Sequence, residues 1–192
     1  MGDGVANLPP GFQFYPTDEE LIVHFLHRKA LLLPCHPDII PDLGLYLYEP
    51  WELQGKAWCG GSKWYFYSRR TVDRVTRSGY WEPVCQEEPV FTSSSRKQVG
   101  FKQCYAFHYG ESPHGIRTSW TIHEYRLSGG NSSTGRSSRR KGQKIIDPST
   151  WVLCRVFDCD DEHGGDSSGG VELSCLDEVF LSLDDDEVSF PS

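Results

Sequence analysis

The chain has 192 residues, of which 24% are charged and 38% hydrophobic, and its formal net charge is −8. This length allows one domain of moderate size and a tail. The longest apolar run, Ala30 to Leu33, is too short to span a bilayer, which argues against a membrane protein.

The charge is distributed unevenly along the chain. Residues 1–55 have a net charge of −6, residues 56–157 of +10 and residues 158–192 of −12. A basic centre followed by an acidic tail is typical of proteins that act with nucleic acids, although a solvated charged face produces the same pattern.

Seven cysteines are spread along the chain without Cys-x-x-Cys spacing: Cys35, Cys59, Cys85, Cys104, Cys154, Cys159 and Cys175. Structural zinc requires four closely spaced soft ligands, so we expect no metal and no other cofactor. The odd number and the absence of a signal peptide favour reduced thiols in the cytosol or nucleus.

The first part of the chain predicts a helix. Residues 1–7 are expected to be loose, and the prolines up to Pro16 predict an extended arm. Thr17 and Glu20 form a T-x-x-E capping box, after which apolar residues recur at helical spacing until Pro34. They are Leu21, Ile22, Phe25, Leu26 and Leu33.

From residue 63 onward the pattern changes to strands. Runs rich in aromatic and β-branched residues predict strands at 64–67, 103–109, 120–127 and 151–157, with a turn at 110–115. The sequence therefore predicts an α+β domain over residues 8–157, in which a twisted antiparallel sheet packs against the N-terminal helix around one core.

The stretch from Gly79 to Phe91 combines aromatic, acidic and proline residues within basic flanks. Tyr80 and Trp81 begin it, and Glu82, Pro83, Glu87, Glu88 and Pro89 interrupt it. A strand with basic flanks can enter the DNA major groove, where arginine and lysine contacts to phosphate supply most of the affinity. The candidate DNA-binding residues are Arg69, Arg70, Arg74, Arg77, Tyr80, Trp81, Arg96, Lys97 and Lys102.

Two segments of low complexity lie further along. A Gly/Ser-rich loop over about 128–146 is expected to be disordered, and its cluster Arg139, Arg140, Lys141 is typical of a nuclear localisation signal. Residues 158–192 are acidic and expected to be mostly disordered. Within them Leu173, Leu176, Phe180 and Leu183 share one side of a helix, which either docks in a partner's groove or packs on the domain.

No pattern predicts an enzyme. The sequence lacks nucleophile-elbow, zinc-protease and phosphate-loop motifs. Glu87 and Glu88 are adjacent, so on a strand they face opposite sides and do not form an acid/base pair.

Five blocks together resemble the plant NAC-domain transcription factors. They lie in the family's order within residues 8–157: 8–21, 42–53, 63–68, then 79–81 with 99–102 and 120–127, and finally 151–157. They include Leu-Pro-Pro-Gly-Phe at 8–12, Glu-Pro-Trp-Glu-Leu at 49–53 and Gly-Tyr-Trp at 79–81. The short length and the tail are most similar to the small Xylem NAC Domain subgroup, which is associated with restraining xylem vessel differentiation.

The resemblance implies a twisted antiparallel sheet between helices, action in the nucleus and a regulatory tail. It also implies a DNA-reading strand from Trp81 and a dimer, with itself or another NAC protein. The implied dimer interface comprises Leu8, Pro9, Pro10, Gly11, Phe12, Gln13 and Glu20.

Two departures from the family pattern concern DNA and dimer binding. After Gly-Tyr-Trp the family usually has Lys-Ala-Thr-Gly-Lys-Asp, whereas this chain has Glu82 at the lysine position, Cys85 at the glycine position and Gln86 at the next basic position. Glu82 replaces attraction to phosphate by repulsion, and Pro83 is expected to remove a ladder hydrogen bond. Gln13 replaces the arm arginine that pairs with the position of Glu20, which predicts a modest loss of dimer affinity.

Two functions remain open on the sequence. The first is a DNA-binding transcriptional regulator, a repressor or antagonist with weak or altered duplex binding. The second is an interaction protein that heterodimerises with NAC factors and recruits a retinoblastoma-related pocket protein. Leu173-x-Cys175-x-Asp177 resembles the Leu-x-Cys-x-Glu motif for such pockets, and the candidate tail-docking residues are Leu173, Cys175, Leu176, Asp177, Phe180 and Leu183.

Overall fold

The N-terminal helix begins at the predicted capping box. The structure, a computed structural model, describes residues 11, 13–44, 47–128 and 150–160. The Thr17 hydroxyl accepts the Glu20 N–H at 3.2 Å, and the Glu20 carboxylate accepts the Thr17 N–H at 2.9 Å. These reciprocal bonds satisfy two backbone donors that the first turn leaves without a helical partner.

The helix runs in three consecutive segments: Asp18–Glu20 (α), Leu21–Leu26 (π) and His27–Ala30 (α). In the π segment the His27 N–H bonds to the Ile22 carbonyl, five residues back. The helix ends before Pro34, because Leu32 takes a φ of 54° and the Leu33 N–H bonds to the Arg28 carbonyl at 2.9 Å. This is a Schellman ending. It leaves Leu33 exposed, whereas the periodicity had predicted that Leu33 lies on the apolar face of the helix.

The described part of the chain contains seven strands: β1 Trp58–Gly60, β2 Lys63–Arg69, β3 Gly79–Pro83, β4 Glu88–Phe91, β5 Gln98–Tyr109, β6 Ile116–Leu127 and β7 Trp151–Asp158. They form one antiparallel sheet in the order β1-β2-β7-β6-β5-β3, and β4 also pairs with β5. The four strands and the turn that the sequence predicted are confirmed, and the antiparallel sheet is confirmed with them.

The sheet separates two apolar clusters, so the prediction of one core is wrong. One cluster lies under the N-terminal helix and contains Leu21, Ile22, Tyr65 and Tyr125. The other lies on the opposite face beneath a 3₁₀ helix, Pro50–Leu53. Clusters form on both faces because successive side chains of the central strands point to opposite faces of the sheet.

The arm before the helix is anchored by one aromatic residue. Phe14 is buried and packs edge-on against Phe25, Trp58 and Tyr65, with ring centroids 5.5, 6.3 and 4.9 Å away. The neighbouring side chains Gln13 and Tyr15 remain exposed. The arm therefore follows the β1 edge of the sheet and presents alternate side chains to solvent.

Candidate nucleic-acid interface

Strands β3 and β4 occupy the same side of β5. Strand β3 pairs with residues 105–109 of β5, and β4 pairs with residues 98–102. The connecting residues 84–87 leave the ladder at a bend. Together β3 and β4 form an interrupted outer strand, called here the β3–β4 rim.

The two aromatic residues of β3 are buried. Tyr80 is 5% exposed and stacks on His108, with ring centroids 5.1 Å apart, and Trp81 is 4% exposed and packs edge-on against Phe107. Direct contact of either ring with DNA is therefore excluded in this conformation. Their contribution is to hold β3 in place, which corrects the expectation that they form part of the contact surface.

The outer side of β3 is itself covered by the loop that precedes it. Val75 forms an antiparallel bridge with Tyr80, and the Trp81 N–H donates to the Arg74 carbonyl at 2.8 Å. On the other side, the Val84 N–H donates to Cys104 of β5 at 3.1 Å. Because N–H groups alternate in direction along a strand, the nitrogen of Pro83 faces outward, so no bond to β5 is lost. The expected loss of a ladder hydrogen bond at Pro83 is therefore wrong.

A buried carboxylate positions the turn into β3. Glu49 is 2% exposed; its Oε1 accepts the Ser78 N–H at 3.0 Å and its Oε2 accepts the Thr76 hydroxyl at 2.8 Å. Its backbone N–H donates to Glu52 at 2.9 Å, as part of the cap of the 3₁₀ helix. The sequence reasoning missed this role; the Glu-Pro-x-Glu cap pattern was the available signal.

Gly79 lets β3 approach β5 closely. A Cβ atom at this position would collide with the carbonyl oxygen of His108 and would lie 2.6 Å from Cζ of Phe107. Only glycine fits here without displacing backbone.

Each acidic residue of the rim faces a basic group on a neighbouring strand. Glu87 binds Arg126 through two hydrogen bonds, and Glu88 lies 3.2 Å from Nζ of Lys102. Glu82 Oε2 lies 3.5 Å from Nε2 of His108, with the Glu82 side chain 52% exposed. Glu87, the last connecting residue, and Glu88, the first residue of β4, have different partners. Of the three, Glu82 is paired most loosely, because its contact is the longest and its partner is a histidine.

Several of the predicted DNA-binding cations already have protein partners. Arg74 binds Glu124 and lies 4.0 Å above the Tyr105 ring. Lys102 pairs with Asp18 at 3.3 Å as well as with Glu88. These contacts give Arg74 and Lys102 a role in the fold, and their assignment to the DNA interface stays a prediction.

Two further predicted cations are engaged at the surface. Arg77 pairs with Glu52 at 2.8 Å, and Arg69 stacks on Trp151 at 3.8 Å while donating to Thr150 at 3.1 Å. The Arg77 side chain is 76% exposed, so solvent screens its ion pair and phosphate could compete for it.

The exposed cations without a carboxylate partner within the residues that the structure describes include Arg70, Arg96, Lys97 and Arg117. We call these four residues the open cations. Arg70 follows β2, and Arg96 and Lys97 lie in the turn between β4 and β5, where Arg96 has a φ of 50°. Arg117 lies on β6 opposite His108, which itself pairs with Tyr80 of β3. The sequence reasoning missed Arg117 because its position relative to β3 depends on the order of strands.

A polar network joins the start of the helix to the sheet. Asp18 Oδ1 accepts the Tyr125 hydroxyl at 2.6 Å and lies 3.3 Å from Nη2 of Arg155, which donates to Nδ1 of His123 at 2.7 Å. Burial opposes the ionised form of Asp18, but the Tyr125 hydrogen bond and the charges of Arg155 and Lys102 outweigh it and lower its pKa. Burial, then the charges of Arg155 and Lys102, lower the pKa of His123 to about 3. The network therefore holds a carboxylate and a neutral imidazole.

Of the predicted dimer residues, the structure describes Gly11, Gln13 and Glu20, and all three are exposed. The other predicted dimer residues lie outside the described residues: Leu8, Pro9, Pro10 and Phe12. The same is true of the nuclear localisation cluster Arg139, Arg140 and Lys141 and of the entire tail-docking set from Leu173 to Leu183.

Within the described ranges there is no His, Cys, Asp and Glu cluster suited to a metal ion. No helix in those ranges is long and apolar enough to cross a membrane.

Comparison with known proteins identifies the family. Residues 9–127 match the family model described as No apical meristem (NAM) protein. The chain therefore belongs to the NAC family of plant transcription factors.

The relatives carry the same family name. The chain is 56% identical to the NAC domain-containing protein 104 of Arabidopsis thaliana, over 96% of this chain and 100% of that protein. It is 43% identical to NAC transcription factor 25 of the same plant and 40% identical to NAC transcription factor NAM-1 of barley, Hordeum vulgare. These alignments cover 82% and 78% of this chain but only 52% and 41% of the relatives, so the chain spans about half the length of such factors. The second and third of these relatives are named as transcription factors.

Proposed function

We propose that the protein is a nuclear NAC regulator that binds duplex DNA weakly, through phosphate contacts made by the open cations beside the β3–β4 rim. The observation that carries this proposal is the internal pairing of the rim: Glu87 and Glu88 neutralise Arg126 and Lys102. The positive charge that remains available to phosphate includes the open cations and the exposed Arg77, and the loosely paired Glu82 adds a repulsion.

The proposal includes a dimer formed through the N-terminal arm. Its support is that buried Phe14 fixes the arm on the sheet while Gln13 and Tyr15 remain exposed beside it. Gln13 can exchange hydrogen bonds with a partner but not an ion pair, so the dimer with itself is weaker than one with a NAC protein that has arginine there.

In the plant, the proposed role is negative regulation of xylem and secondary-wall differentiation. A partner with a full DNA-binding rim would lose DNA affinity on pairing with this chain. The support for this role is the acidic tail and the 56% identity to a NAC protein that the alignment covers in full. Expressed in differentiating vessel cells, the chain should reduce wall deposition; unchanged deposition at equal protein level would contradict the role.

The DNA-binding experiment measures duplex affinity by fluorescence anisotropy over a range of salt concentrations. Each phosphate contact contributes about −0.9 to the slope of log K against log salt. The double variant Arg96→Gln/Lys97→Gln should bind more weakly and lose about 2 from that slope. The matched control, Arg28→Gln on the N-terminal helix, should leave the slope unchanged. Absence of binding by the unmodified chain at the lowest salt would exclude direct DNA binding.

A second candidate function is an interaction protein that does not bind DNA. It is favoured by Glu82 immediately after Trp81, and by the tail pattern Leu173-x-Cys175-x-Asp177, which resembles a pocket-protein docking motif. In this case a retinoblastoma-related pocket domain should capture the full chain, and Leu173→Ala/Cys175→Ala should abolish the capture. Equal capture of the double variant would rule out this docking motif.

A further inference from the structure

Two cysteine side chains meet where β3 ends. Strand β3 stops at Pro83, the chain bends at Cys85, and Cys104 lies in the middle of β5. The Cys85 thiol lies close enough to Cys104 to raise the pKa of the Cys104 thiol, and both residues are half-buried free cysteines. The bend brings them together, because strict alternation of side chains ends with the strand.

The backbones of the two cysteines are held together by independent contacts. The side-chain amide of Gln103 donates to the Cys85 carbonyl at 2.6 Å and to the Cys104 carbonyl at 3.3 Å. The Val84 N–H donates to the same Cys104 carbonyl at 3.1 Å. These bonds hold the two backbone segments together, so bond formation between the cysteines requires little loss of chain entropy.

We propose that Cys85 and Cys104 form an oxidisable dithiol, a modification site at the end of β3 that is converted to a disulfide by a peroxide. The Cys85 sulfur attacks one peroxide oxygen, the O–O bond breaks, and a sulfenic acid and one water result. The Cys104 sulfur then attacks the Cys85 sulfur; the S–S bond forms as the S–O bond breaks, and a second water leaves. Two electrons pass from the two thiols to the peroxide.

The order of the two steps follows from the surroundings of Cys104. Burial, followed by the neighbouring Cys85, raises the pKa of Cys104 to about 12. Its thiol is therefore protonated at cellular pH and a poor first nucleophile, whereas it can complete the bond once Cys85 carries an electrophilic sulfur.

The disulfide would tie residues 84–87 to β5 and restrict the rim. Glu87, which binds Arg126, is the last residue of this segment, and Glu88, which binds Lys102, directly follows it. An effect on DNA binding rests on the proposed function, whereas the dithiol itself does not.

The test uses the full chain. Trypsin places the two cysteines in different peptides, so a disulfide between them links two peptides. Cleavage after Arg77, Arg96, Lys102 and Arg117 leaves Cys85 in peptide 78–96 and Cys104 in peptide 103–117, each with one cysteine. Reduced protein is treated with equimolar hydrogen peroxide, alkylated and digested without reductant. The expected product is a linked pair of these two peptides, lighter by two hydrogens, that disappears on reduction.

The outcomes are separated by internal and matched controls. Exposed Cys59 should be alkylated singly, and buried Cys154 should stay unmodified while the fold persists. Cys85→Ser should abolish the link. Alkylation of Cys85 and Cys104 as separate peptides, at the same rate as Cys59, would overturn the proposal, and this result needs no variant. Because the mapping contains no DNA, a failure of DNA binding would overturn the proposed function and leave the dithiol intact.

Discussion

The guanidinium of Arg74 binds the carboxylate of Glu124 through two hydrogen bonds, Nη1–Oε2 at 3.0 Å and Nη2–Oε1 at 3.4 Å. The Glu124 side chain is only 6% exposed, and Tyr105 lies beneath the guanidinium. This pair fastens the loop before β3 onto the face of the sheet. Arg74 is therefore a cation that maintains the fold, in contrast to the open cations.

The first prediction concerns the stability that this pair contributes. Arg74→Gln leaves Glu124 buried without its ion-pair partner and should lower the free energy of unfolding by about 2–3 kcal/mol. Urea unfolding followed by tryptophan fluorescence measures the change. Arg70→Gln removes an exposed cation and should change stability by less than about 0.5 kcal/mol. Equal losses in the two variants would contradict the structural role of Arg74.

The second prediction concerns Glu82. Glu82→Lys replaces a repulsion by an attraction near phosphate, so duplex affinity should rise and the salt slope should steepen by about 0.9. Anisotropy titrations at several salt concentrations measure both quantities. Asp38→Lys makes the same change of two charges on an exposed residue after the N-terminal helix, and it should leave the slope unaltered. If both variants behave alike, residue 82 does not face the DNA.

The third prediction concerns pH. The folded protein lowers the pKa of His123 to about 3, below the ordinary value near 6.5, so the unfolded chain binds the proton more readily. The contribution of His123 to the free energy of unfolding is therefore fully present above about pH 6.5 and decreases toward pH 3. Its slope is at most about 1.4 kcal/mol per pH unit. The lowered pKa of Asp18 has the same sign and acts below about pH 4.

The variant His123→Gln isolates this effect. Glutamine retains an acceptor for Arg155 but does not titrate. Urea unfolding at pH 7.0, 6.0 and 5.0 should give a smaller decrease of stability in the variant than in the unmodified chain. Parallel pH profiles would show that His123 does not cause the decrease.

The fourth prediction concerns Gly79. A methyl group there meets the His108 carbonyl, which is backbone and cannot rotate away, so Gly79→Ala should destabilise the fold by about 3 kcal/mol. Gly55→Ala is the comparison, because its φ is 75° but nothing lies within 4 Å of the added atom. That backbone strain alone should cost about 1 kcal/mol. Similar thermal midpoints of the two variants would exclude a steric role for Gly79.

Local patterns in the sequence predicted much of the fold. The capping box of Thr17 and Glu20 begins the helix, and the aromatic run at 64–67 lies within β2, because these signals involve residues close in the chain. The end of the helix was less predictable, since a Schellman ending with leucine at the positive-φ position has no glycine to mark it.

The candidate interface was less predictable, because charge counts do not show which charges pair. Arg126 and Glu87 are 39 residues apart, and Arg74 and Glu124 are 50 apart. Only the strand order brings them together and removes these cations from the open set. The same order places Arg117 next to His108, although nothing nearby in the sequence marks Arg117 as part of the site.

The outward direction of the Pro83 nitrogen also bears on self-association. An exposed strand recruits further strands through its free N–H groups, and this is how sheets aggregate edge to edge. On β3 the Trp81 donor is already bonded to Arg74, and the next outward position, Pro83, has no donor to offer. Another chain that pairs with this end of β3 therefore finds no free backbone donor at these two positions, which disfavours extension of the sheet there.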